Sequence, residues 1–204
     1  MKHLLILLVV LSFSLKAQTR DELYMIKCVN QLRANPKSFI PYVESYIEKQ
    51  EVLKLNGGID TSKLKVSGLR ISSKNIKLRD ELIAEANNLI KFLETQAPVS
   101  VLSQNTQFYT IAKTHARYLD SANLVSHNGT TGMRFGARTK GFNVLENICK
   151  VNEHDIIDCI VQLLLDYGMN VKPHRNNLFN VNAKEITVAN SGKVWVQEFV
   201  YVLK

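Results

Sequence analysis

Residues 193–203 read KVWVQEFVYVL. β-Branched and aromatic side chains dominate this run, and such side chains fit the pleated surface of a strand. Alternation places Trp195, Phe199, Tyr201 and Leu203 on one face and Val194, Val196, Val200 and Val202 on the other. Only Gln197 and Glu198 interrupt the two apolar faces. A strand that is apolar on both sides is covered on both sides. EITVAN (185–190) precedes it across a turn at Asn190-Ser191-Gly192, which makes a hairpin, and VLENIC (144–149) reads as a further short strand. With helical patterns filling the rest, the expected fold is α+β: a three-layer α-β-α sandwich around a small, mainly antiparallel sheet.

The helices announce themselves by spacing and caps. Thr19 and Glu22 form a capping box ahead of Leu23, Ile26, Val29 and Leu32. Asn35-Pro36 ends that helix and starts a second, with Asn35 as N-cap and Pro36 at N1. Residues 52–77 are polar and basic with Gly57-Gly58, and read as a long loop or insertion; a third helix is expected at about 78–95. A fourth runs from about Gln104 to Asn123, and its apolar stripe includes His115, which therefore reads as a packed core histidine. Asn152 and Asp155 cap a fifth helix that reaches about Asp166. Residues 168–177, GMNVKPHRNN, read as a turn-rich segment. There is no internal repeat and no low-complexity tract.

The 204-residue chain is 46% apolar and 22% charged, as a globular domain is. Lys2, the twelve-residue run LLILLVVLSFSL and Ala17 resemble a secretory signal peptide over 1–17, the alternative being an uncleaved N-terminal anchor. The expected location is secreted or extracytoplasmic, with residues 18–204 as one domain. No later apolar run is long enough for an integral membrane span. Loss of 1–17 removes Lys2 and Lys16 and leaves a net charge of +6. That charge favours acidic partners. No Lys/Arg run with interleaved aromatics argues for nucleic acid, so none is expected as a partner. Cys28, Cys149 and Cys159 are too few for a disulfide framework. One bridge, with Cys149–Cys159 the candidate, and three free buried thiols both fit.

His127, in VSHNGTTG (125–132), and His174 lie 47 residues apart, each in a polar turn. Glu146 sits between them in an apolar strand, where a carboxylate is costly unless paired. Asp166 ends the fifth helix. Two imidazoles and a carboxylate match an open zinc site with room for water. They equally match a general acid and base.

Four segments, in order, resemble the bacterial branch of the CAP superfamily of cysteine-rich secretory, antigen 5 and class-one pathogenesis-related proteins. They are VNQLRANPKSFIPYV (29–43), IAKTHARYLDSANLVSHNG (111–129), RFGARTKGFNVLENI (134–148) and PHRNNLFN (173–180). The resemblance covers about 20–50 and 98–204, and leaves 52–97 as a helical insertion. It implies a cavity with two histidines and two acids: His127, Glu146, His174 and, by looser alignment, Asp166. It also implies Zn2+ or another divalent cation as cofactor, and a lipid, sterol or cell-surface component as partner. Leu145, Pro173 and Thr187 stand where the family usually has glycine. Three functions follow: a secreted, non-catalytic binding protein; a metal-assisted hydrolase (peptidase or esterase) with His127 and His174 as ligands and Glu146 as ligand or base; and a structural hydrogen-bonded tetrad. The first is the expectation. No G-x-S-x-G or Cys-His signature points to a nucleophile.

Overall fold

The computed structural model describes residues 17–55, 73–129, 142–151 and 155–201. The leader reading, Asn152 and most of the glycine-rich loop therefore lie outside the described residues.

The sheet has the order β1-β3-β4-β2, with β1 Ser103–Gln104, β2 Asn143–Lys150, β3 Glu185–Ser191 and β4 Val194–Tyr201. β1 pairs parallel with β3, and the β3–β4 and β4–β2 pairs are antiparallel. β4 is internal, and Val194 through Val200 are all buried. Trp195 and Phe199 join one core cluster with residues of α1 (Arg20–Ala34), α2 (Ile40–Leu55), α3 (Ser73–Thr95) and α5 (Ile156–Leu165). Val194, Val196 and Val200 join a second cluster with α4 (Tyr109–Ser121). The two-faced strand thus has helices on both faces, and the α-β-α sandwich is the fold.

The capping box at α1 forms in full: Glu22 N donates to Thr19 Oγ1 at 3.2 Å and Thr19 N to Glu22 Oε2 at 2.7 Å. The Asn30-x-x-Arg33 motif on α1 tethers distant backbone. Asn30 exchanges two hydrogen bonds with Leu102, at 2.9 and 2.8 Å. The Arg33 guanidinium, fully buried, donates to the carbonyls of Ser100, Leu178 and Asn180 at 2.8, 2.6 and 3.0 Å. Burial brings its pKa down to about 10. The Leu178 and Asn180 carbonyls lie at and just past the end of α6 (Pro173–Leu178), so α1 anchors the helix that carries His174.

Several boundaries differ from the sequence expectation. Asn35 makes no side-chain cap; Pro36–Phe39 is a 3-10 turn in which Ser38 N and Oγ donate to Asn35 O, and α2 begins at Ile40. The polar stretch read as starting near 52 is helical to Leu55, and α3 begins at Ser73 rather than about 78. α3 buries Ala86, Leu89 and Leu93 in the larger core cluster. α4 begins at Tyr109, not near Gln104. The backbone at 103–104 is taken by pairing with β3, and Asn105 Oδ1 accepts from Phe108 N at 3.1 Å, which holds the chain in a turn first. Asp155 caps α5 through Asp158 N at 2.9 Å. The segment read as turns contains α6, a six-residue helix with Pro173 at its start.

Candidate functional site

Of the four residues singled out in the sequence, Glu146 is on a strand, Asp166 and His174 are at helix ends, and His127 lies in the loop after α4. Glu146 is on β2, directly opposite Glu198 of β4, and the pair shares the α4 face with Ile148 and Val196. α4 ends at Ser121, Asn123 turns the chain with φ of 56°, and His127 arrives beside the strand. His127 Nδ1 lies 2.8 Å from Glu146 Oε1. Asp166 is the C-cap of α5 in the left-handed conformation (φ 47°, ψ 44°), a region that Asp tolerates better than most residues. Its carboxylate meets α6: Oδ1 is 2.5 Å from His174 Nδ1, while Oδ2 accepts from His174 N at 2.8 Å and Arg175 N at 3.0 Å.

The structure therefore builds two acid–imidazole pairs. Both histidines face their acid through Nδ1. An ionised carboxylate only accepts, so against one Nδ1 is the donor of each pair, and Nε2 is the ring nitrogen that does not face the acid. The pairs are joined by amides, not by direct contact between them. Asn147 Nδ2 donates to His174 O at 3.2 Å, and Asn177 Nδ2 donates to Asn147 Oδ1 at 2.8 Å and to Glu146 O at 3.4 Å. On the other side Asn147 Nδ2 reaches Gln197 Oε1 at 3.3 Å, which explains the buried Gln197 in an apolar strand.

Sequence reasoning missed three of these residues. His115 is buried, as its place on the apolar stripe of α4 predicts, but its Nε2 also lies 3.3 Å from Glu146 Oε2. Asn147 and Asn177 carry no charge and no spacing signal of their own in the sequence. All three stood inside the quoted motifs, in AKTHA, ENI and HRNN, where the signal was available.

The glycine replacements are accommodated locally. Pro173 occupies a helix start, where its missing N–H costs nothing. The residue before it, Lys172, takes φ of 47° and sends Nζ to Glu85 of α3 at 2.7 Å. The buried Thr187 hydroxyl donates to Asn105 O. Leu145 packs, partly buried, against the larger core. Arg175 is held under the pair by Leu164 O at 2.6 Å, by the Phe92 ring at 4.9 Å and by Glu85 at 3.5 Å. Burial lowers its pKa, while Glu85 and Asp166 oppose that shift.

The chain belongs to the CAP family, the cysteine-rich secretory protein family, whose model matches residues 26–199. Among solved structures it is similar to an extracellular protein containing a SCP domain from Bacillus anthracis str. Ames, at 20% identity and a TM-score of 0.45. That similarity covers 66% of this chain and 45% of the other, so the chain spans less than half of that protein's length. Comparison with curated proteins gave no match.

Proposed function

We propose that the chain is an extracytoplasmic binding protein that engages a lipid, a sterol or another cell-surface component at the face carrying His127 and His174. The observation that carries this reading is a set of exposed apolar side chains in the segments that lead to the two imidazoles. Leu124 and Val125 precede His127, and Met169 and Val171 precede His174; all four are exposed. Apolar side chains left in water beside hydrogen-bonding groups are a feature of interaction surfaces. Covering one of them contributes about 1.5–3 kcal/mol, and an imidazole can meet a polar head. Vesicle flotation tests this with phosphatidylcholine alone, with cholesterol, and with an anionic phospholipid. Association that drops about tenfold in V125D and V171D supports the lipid or sterol reading. No association with any composition eliminates it.

A second reading, a divalent-metal centre assisting hydrolysis, is favoured by the Nδ1–carboxylate arrangement at both rings, because metal-binding histidines are held this way. The donor types fit Zn2+, which would supply an acidified water. Their placement is incomplete: among the described residues no group of three His, Cys, Asp or Glu side chains is arranged to hold an ion. Calorimetric zinc titration decides. Stoichiometric binding lost in both H127A and H174A supports the centre, and absence of binding in the parent protein removes it.

A further inference from the structure

The two acid–imidazole pairs differ in what holds the acid. Asp166 is fixed by backbone: two N–H groups of α6 grip Oδ2, which leaves Oδ1 for the His174 ring. The Glu146 side chain has no such cradle among the described residues. Its Oε1 meets His127 at 2.8 Å, and its Oε2 faces the His115 ring at 3.3 Å. A carboxylate held at one oxygen turns about its last torsion, where the energy profile is broad. His127 would turn with it.

The three side chains form a line from core to solvent. Side-chain exposure rises from 0% at His115 to 7% at Glu146 and 42% at His127. His115 is anchored on α4 between Ala112 and Ala116, both fully buried against the sheet. Its ring is therefore a fixed stop at the inner end, whereas His127 hangs on a loop at the outer end. Glu198 stands opposite Glu146 on β4, so a second buried acid neighbours the pair. The His115 ring of α4 lies against Glu146 from the core side, with Nε2 3.3 Å from Oε2.

We infer that His115 is a positioning residue: through Glu146 it fixes the orientation and tautomer of His127, as the α6 backbone does for His174 through Asp166. This rests on the reading of His127 as a working group of the site, but its test needs no ligand. Long-range 1H–15N NMR at a pH where imidazoles are neutral reports the Nδ1–H to Nε2–H ratio of each histidine. In the parent protein His127 is expected in the Nδ1–H form. In H115F the ratio at His127 falls about threefold to tenfold, the loss from weakening one charge-assisted hydrogen bond. H115Q, whose amide can donate to Oε2, restores most of it. The ratio at His174 stays at its parent value in both variants, which a general loosening of the core would not allow. H115M serves as the apolar variant if H115F does not fold. An unchanged His127 ratio in a natively folded H115F or H115M overturns the inference, as does H115Q behaving like the apolar variant. Failure of vesicle or zinc binding with the NMR result intact would discard the proposed function and leave the positioning role standing.

Discussion

Glu22 gathers four donors on one buried carboxylate. Lys113 Nζ and Tyr109 OH each lie at 2.9 Å, Asn190 N at 2.8 Å and Thr19 N at 2.7 Å. Burial alone would raise its pKa, but the hydrogen bonds from Lys113, Thr19, Asn190 and Tyr109 outweigh that and hold it below the ordinary carboxylate value. A folded pKa below the unfolded one adds stability above the unfolded value, and that stability is lost as pH falls through the folded value. Chemical denaturation should therefore show the parent losing stability below about pH 4, a loss that E22Q flattens. At neutral pH E22Q should cost about 3 kcal/mol, since it strands Lys113 and weakens a buried pair. Asp166 offers a second test at this scale. D166N keeps an acceptor and a side chain that tolerates φ of 47°, whereas D166A loses both. D166A should be less stable than D166N by about 1–2 kcal/mol in urea titrations. Equal stabilities would mean that the αL cap and its bonds carry little. The capping role of Thr19 was legible at this scale, because a cap is written in residues three apart. The convergence on Glu22 was not, because its other donors come from positions 109, 113 and 190.

At the scale of elements, α3 behaves as part of the core. Leu89 and Leu93 are fully buried in it, and Glu85 pairs with Lys172 at 2.7 Å on the segment leading to His174. L89A should destabilise the protein by about 2–5 kcal/mol, the range for emptying a buried leucine site. E85A should cost about 1–2 kcal/mol, because the Lys172 pair is partly solvated while Arg175, which also loses this carboxylate, is buried. If L89A proves as mild as E85A in urea unfolding, α3 is a surface addition after all. The apolar stripe of α3 was readable from its 3.6-residue period, but its start was not, because polar residues precede the stripe. α4 and α6 show the same limit from opposite sides. Pairing with β3 consumed residues expected to open α4, and tethering by Asp166 made a helix of a segment rich in turn formers.

For the whole molecule, the internal strand joins both layers, so neither core cluster is expected to survive loss of the other. Trp195, the one tryptophan in the chain, is fully buried on the α1 side of β4. Its fluorescence should be blue-shifted and protected from acrylamide, and its transition in urea should coincide with that of far-UV circular dichroism, which reports both layers. Separated transitions would show two independently stable layers. The sequence by itself determined the elements that repeat locally: the two-faced strand, the helical stripes, the capping box and the order of motifs that place His127, Glu146, Asp166 and His174. It determined the sandwich too, because a strand apolar on both faces needs two covers. Only the tertiary structure decided which acid meets which imidazole, that His115 stands behind Glu146, and that two amides join the pairs. Those outcomes depend on the register of β2 against β4 and on the seating of α4 and α6. Both are set by packing between residues far apart in the chain, which no local period records.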